Sequence, residues 1–272
     1  MKYLLELKTT SEDCSTGSMY WKRLTLDNQV SMYLAAAREM GHEVSGVVYD
    51  VIRKTGLRPT GKGTETPESY ESRIVAQIGE EPDRYYNRGT IVRTEDEIRE
   101  HEADIWQTAE LIRLARNSGR WPRYVGSCVN YGSTCDYWSV CAEGADIMSE
   151  AFSTREPMTA DKSPTAGNSD ARVRLPVLSA SALTTWRTCP RKYQYAYEMR
   201  RRRVGEESKP LMFGKLIHAA IEQYGLHGID AALAIANGAK DPHDAAHARA
   251  LLRGYHARWA DSPIKVLMTE KP

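Results

Sequence analysis

Glu6 and Lys8 stand two residues apart in the run Leu4-Leu5-Glu6-Leu7-Lys8-Thr9-Thr10. On a strand that spacing puts both side chains on one face. A carboxylate there can ligate a divalent ion. An ammonium beside it can orient the attacking water and offset charge growing on a phosphate. The same pair is also common on solvated strands. Gln29 and Tyr33 are four apart, hence on one helical face, and an amide and a phenol aimed at one spot suit a DNA phosphate or base. Gly214, His218 and Glu222 recur at every fourth position and form one helical stripe. The glycine admits a close backbone, and the histidine offers a neutral ring nitrogen to a metal such as manganese. Glu222 could orient that ring or bind metal through water. A packed helix with a satisfied histidine has the same pattern.

Four of the five cysteines, Cys128, Cys135, Cys141 and Cys189, suit a metal cluster. Six residues separate the first two and five the next two, and tight Cys-x-x-Cys pairs are absent. Four thiolates fit a 4Fe–4S cluster or zinc, and the spacing favours iron–sulfur. Four ordinary buried thiols are the plain alternative. Cys14 lies in a polar stretch and receives no role. Arg200, Arg201, Arg202 and Arg203 form a basic run with Arg191 and Lys192 nearby. They are candidate phosphate contacts or simply a solvated helix end. Tyr193 and Trp138 could stack on bases or pack in the core.

The elements expected to carry these groups are a strand over 3–9, a helix over about 28–40 capped by Asp27 and closed by Gly41, and a buried strand over 44–52. Strand–helix–strand order predicts a mixed α/β sheet. Residues 55–72 read as a loop and 95–117 as a long helix. Ile98, Ile105, Leu111, Ile112 and Leu114 should supply the apolar face of that helix. Residues 152–176 have linker composition. Beyond them come a helix capped by Ser179 or Ser181 with Leu183, Trp186, Tyr193 and Tyr197, helices over about 213–224 and 243–259, and a strand over 264–268. The organisation expected is 1–151, a linker over 152–176, and 177–272.

The chain has 272 residues, of which 41% are hydrophobic, and a net charge of +1. That is enough apolar material for a core, and there is no global basic field. No apolar run approaches a membrane span, so no membrane partner is expected. Glu6 falls where a signal peptide would need apolar residues. A cytoplasmic location is the expectation, and reduced cysteines with it. No Gly-rich phosphate loop of a helicase is present.

Taken together, these motifs resemble the PD-(D/E)XK nuclease superfamily, closest to its RecB-like, AddB-type iron–sulfur exonucleases, which include CRISPR-adaptation and phage enzymes. Glu6 and Lys8 resemble the family's Glu-x-Lys, Gln29 and Tyr33 its Gln-x-x-x-Tyr, and His218 its metal-binding histidine. Cys189 and the trio Cys128, Cys135 and Cys141 resemble its cluster ligands. The family's second half comes first here. No residue matches the metal-binding Asp that the family carries before its Glu-x-Lys strand, and Asp50 lies in the wrong place.

The resemblance implies a restriction-endonuclease-like α/β sheet flanked by helices, with a helical cysteine-cluster region. It implies Mg²⁺ or Mn²⁺ held by Glu6 and His218, a 4Fe–4S cluster, and cleavage of DNA at single-stranded ends. The setting would be repair, recombination or phage DNA processing, with a helicase or other nuclease subunit as a partner. The alternatives are a catalytically incomplete iron–sulfur DNA-binding remnant or subunit of a helicase–nuclease, and a zinc-stapled structural protein. The swapped order reads as a circular permutation or as the junction of two copies.

Overall fold

Val47–Arg53 (β2) is the most deeply buried strand of the protein, with Val47, Tyr49, Val51 and Ile52 all at 0% exposure. It lies at the centre of a three-stranded sheet in a computed structural model that describes residues 1–61, 64–130, 132–155, 178–205, 208–262 and 264. Leu4–Thr10 (β1) pairs with β2 in parallel and Tyr86–Ile91 (β3) pairs with it antiparallel, which makes the sheet mixed. A parallel pair needs a crossover. Met19–Leu24 (α1) and Asn28–Glu39 (α2) supply it. Asp27 starts α2 by accepting from the backbone N–H of Gln29 at 2.6 Å. Gly41, at φ 76°, follows its end.

The described residues fall into two compact units. The first joins Met1–Thr94 to the described part of Glu207–Pro272. Pro67–Glu80 (α3) connects β2 to β3, and Lys209–His227 (α8), Ile229–Asn237 (α9) and Pro242–Trp259 (α10) complete the unit. Its core gathers Ile52, Ile74, Tyr86, Ile217, Leu251 and Leu252, with Leu7 packed against them. Small residues let α10 come close: a Cβ on Gly254 would stand 2.3 Å from the Tyr86 hydroxyl oxygen. A buried ion pair locks the sheet to α10, with Arg88 2.7 Å from Asp50, the Tyr255 hydroxyl on the same Asp50 oxygen, and Arg88 over the Trp259 ring.

The second unit spans the described part of Glu95–Glu206. It holds Glu95–Ser118 (α4), the ribbon Val129–Asn130 (β4) with Ser133–Thr134 (β5), and Trp138–Ala142 (α5). Phe152–Thr154 (β6) pairs antiparallel with Arg201–Arg203 (β7). Ala180–Thr188 (α6), capped by Ser179, is followed by Pro190–Tyr193 (α7) and a π turn over Gln194–Glu198. Each unit therefore combines chain from both sides of the 156–177 stretch, and the α/β sheet with helices is the architecture expected.

Several expectations change. The stretch 55–72 is a loop only in part, because Thr66 caps α3 and Pro67 opens it. On α4, Ile98 and Ile112 are buried, whereas Leu111 and Leu114 are 48% and 63% exposed. The helix drawn through Leu183 and Tyr197 breaks after Thr188, where Cys189 is extended and Pro190 starts a new turn. Residues 152–154 are the strand β6. The rest of the stretch assigned to a linker lies outside the described residues. The strand expected over 264–268 also lies outside them, except for Ile264.

Candidate active site and cysteine cavity

The β1–β2 register sets Glu6 beside Tyr49, Leu7 beside Asp50 and Lys8 beside Val51. Alternation then divides the sheet, with Glu6, Lys8 and Tyr49 on one face and Leu7, Thr9, Asp50 and Ile52 on the other. Helix α2 lies over the first face. Lys8 Nζ is 2.6 Å from Glu6 Oε1 and donates to Gln29 Oε1 at 2.8 Å. Gln29 Nε2 donates to the Tyr33 hydroxyl at 2.6 Å and reaches Glu6 Oε1 at 3.4 Å. All four residues predicted from spacing thus form one hydrogen-bonded cluster. The Lys8 and Glu6 side chains are only 31% and 16% exposed, so their charges attract more strongly than in open water.

A residue missed in the sequence holds this corner. Arg93 donates to Ser31 Oγ at 3.1 Å and to the Leu24 carbonyl at 3.0 Å, tying the end of α1 to α2. A lone arginine just beyond a strand carries no signal of such a role.

His218 is placed differently. It is exposed on α8, which packs on the opposite face of β1. A Cβ on Gly214 would stand 3.3 Å from Thr9 Oγ1, so the glycine does admit the strand. Among the described residues no three of His, Cys, Asp and Glu gather as a metal-binding group. Asp50 is 1% exposed on the far face and engaged by Arg88 and Tyr255, so it is no substitute acid for Glu6. One carboxylate does not make an all-protein cage. It does fit the way Mg²⁺ is commonly held, by one or two carboxylates together with substrate phosphate and water.

In the second unit Cys128, Cys135, Cys141 and Cys189 line one cavity of about 390 Å³, open mouth included, together with Tyr124, Tyr137, Trp138, Arg123 and Lys192. None is in a disulfide. Short links build the wall: the Cys135 N–H donates to the Cys128 carbonyl at 2.8 Å, Ser127 Oγ to the Thr188 carbonyl at 2.8 Å, and Arg123 to the Cys141 carbonyl at 2.9 Å. Burial pushes the Cys141 thiol up, while Tyr195, Arg191 and Arg123 draw it back down. The four cysteines line one cavity with aromatic walls and a cationic rim, yet among the described residues no three of them gather closely enough to form a metal-binding group.

The basic run splits. Arg201 donates to the carbonyls of Ile147, Ser149 and Phe152 at 3.1, 3.3 and 2.6 Å, so its guanidinium is engaged within the fold. Arg200, Arg202 and Arg203 are exposed. Arg191 donates to the Trp121 carbonyl at 2.9 Å, and Lys192 lies 3.9 Å from Asp136. Tyr193 is 3% exposed and stacked between Trp121 and Tyr197, so it packs in the core.

Among the described residues no helix is long and apolar enough to cross a membrane. No curated protein and no solved structure matches the chain. Residues 177–269 match the PD-(D/E)XK nuclease superfamily. That stretch includes Cys189 and the His218 helix. Glu6, Lys8, Gln29, Tyr33 and the cysteine trio lie outside it. Enzymes of this superfamily commonly use divalent ions such as Mg²⁺ or Mn²⁺. The match is to that stretch alone, and the mixed sheet with flanking helices is consistent with a restriction-endonuclease-like fold.

Proposed function

We propose that the chain is a metal-dependent DNA nuclease acting on single-stranded ends, of the RecB-like iron–sulfur branch, with the two halves of the fold in swapped sequence order. The observation that carries this reading is the Glu6–Lys8–Gln29–Tyr33 cluster, in which a strand and a helix converge on hydrogen bonds of 2.6–3.4 Å. Glu6 is the carboxylate that would hold Mg²⁺ or Mn²⁺ jointly with DNA; His218, the further ligand the family pattern suggests, stands on α8 against the opposite face of β1, apart from the Glu6 cluster. Such an ion would supply Lewis-acid polarisation of the phosphodiester. Lys8 orients the attacking water and offsets charge on the phosphate. Gln29 sets the Lys8 ammonium, and Tyr33 fixes the Gln29 amide.

The cysteine cavity would hold the 4Fe–4S cluster through Cys128, Cys135, Cys141 and Cys189. Arg191, Lys192, Arg200, Arg202 and Arg203 are proposed phosphate contacts, and Arg201 braces the ribbon that carries Arg202 and Arg203. The domain plan proposed is a family-second-half segment over 1–151 and a family-first-half segment over 177–272, joined through 152–176. It is supported by the way both units draw on both segments. The proposed setting is DNA repair, recombination or phage DNA processing in the cytoplasm, with a helicase subunit as partner.

A second reading is an iron–sulfur DNA-binding remnant or subunit. Its lack of catalysis is favoured by Glu6 standing as the one carboxylate in its hydrogen-bonded cluster. Anaerobically purified protein with Mn²⁺ and end-labelled single-stranded DNA, beside Lys8→Ala, separates the two. Cleavage that disappears in the variant is expected. No cleavage from brown, folded protein would leave the second reading.

A further inference from the structure

Tyr49 rises from the same sheet face as Glu6, directly beside it in the parallel register. Its side chain is fully buried, and its hydroxyl has no hydrogen-bond partner among the described residues. Two other deeply buried phenols of the unit are satisfied: Tyr86 donates to the Leu251 carbonyl at 2.8 Å and Tyr255 to Asp50. A buried hydroxyl without a partner has given up its hydration for nothing in return, so it calls for a physical reason.

The surroundings supply one. Burial pushes the Tyr49 phenol well above its ordinary range, and Asp27, Glu6, Tyr20 and Tyr33 push it further. It stays a neutral donor at any physiological pH. Glu6 Oε1 already takes Lys8 at 2.6 Å and, at longer range, Gln29. Glu6 and Gln29 take two of the three Lys8 N–H groups, and a phosphodiester oxygen that draws the ammonium toward itself would cost Glu6 its nearest donor.

We propose that Tyr49 is a positioning residue of this site, whose hydroxyl donates to the Glu6 carboxylate when Lys8 engages a phosphodiester. This role rests on the nuclease reading above. It accounts for a phenol that makes no bond in the resting arrangement, and it keeps Glu6 oriented in the state in which orientation matters.

The test uses full-length wild type, Tyr49→Phe and Glu6→Gln. A labelled single-stranded oligonucleotide is titrated by anisotropy with and without Ca²⁺, a cation chosen to support binding without turnover, and each protein is melted. The expected result is that Tyr49→Phe melts no lower than wild type, yet its Ca²⁺-supported affinity falls about tenfold, the low end of what supporting partners of metal ligands contribute. Wild-type affinity in Tyr49→Phe, with the Ca²⁺ increment abolished in Glu6→Gln, would overturn the Tyr49 role alone. A loss seen only with a lowered melting temperature would overturn it too, as a packing effect. No Ca²⁺ increment in wild type, or an increment that survives Glu6→Gln, would remove the metal-site reading and the Tyr49 role with it.

Discussion

His247, on α10, should make the first unit acid-sensitive. Its Nε2 is 3.3 Å from Thr55 Oγ1, and its ring centroid lies 4.7 Å from that of Phe213. Burial first, and the nearby Lys54 charge second, lower its pKa from 6.5 to about 4. Below about pH 6.5 the unfolded chain takes up a proton that the folded chain refuses until about pH 4. Stability is thus flat above that window and falls as pH drops through it. At about 1.4 kcal/mol per pH unit, the loss reaches about 3 kcal/mol between pH 7 and pH 4, a large share of a typical folding free energy. Asp244, three residues earlier on α10, works the other way, since burial raises its pKa and acid relieves it. That contribution is common to wild type and His247→Gln and cancels on subtraction. Two units need not unfold together, so the readout should be local, namely hydrogen exchange at Leu251 and Leu252, corrected for intrinsic rates. Wild type should lose about 3 kcal/mol more than His247→Gln over that range. Parallel pH profiles for the two proteins would refute the reasoning.

Asp50→Asn leaves the Arg88 guanidinium buried without its counter-charge, and should cost about 3–5 kcal/mol in urea unfolding of the first unit; a change within about 0.5 kcal/mol would contradict the pairing. Gly254→Ala drives a methyl to 2.3 Å from the Tyr86 hydroxyl oxygen and 2.9 Å from Ile78 Cγ2, and should cost about 1–3 kcal/mol. Gly56→Ala, which meets nothing within 4 Å, is its control. Equal melting of the two variants would show that α10 yields where it is taken to be packed.

The cluster around Glu6 was legible because its parts obey local periods. Two residues on a strand and four on a helix fix which side chains share a face, and Asp27 marks where α2 begins. Which faces meet was not legible, since it depends on register. One step along β2 sends Tyr49 toward Glu6 and Asp50 toward Arg88, and no local pattern in Val47-Val48-Tyr49-Asp50-Val51 reveals the neighbour strand. The helix α9 was missed because Gly228 precedes it in place of a polar cap and its alanines give weak periodicity. The four arginines from 200 to 203 look alike in sequence. Only the pairing of β6 with β7 turns Arg201 toward the carbonyls of the preceding turn. The cysteine spacing suggested a shared site, yet its walls come from residues as far apart as Arg123 and Lys192.

The division of the chain also has a genetic consequence. A message truncated between Arg155 and Leu178 would encode β1, β2, β3 and the cysteine trio but neither α8 and α10, which complete the first core, nor Cys189 and β7, which complete the second unit. Neither unit survives such a truncation as a fallback. A break of the polypeptide between Arg155 and Leu178 is a different injury. It leaves every described pairing intact, so the two pieces, made separately and mixed, hold between them all the parts of both units. In selection terms a stop codon or frameshift in that interval removes both units at once, whereas a split into two reading frames there keeps all the described elements.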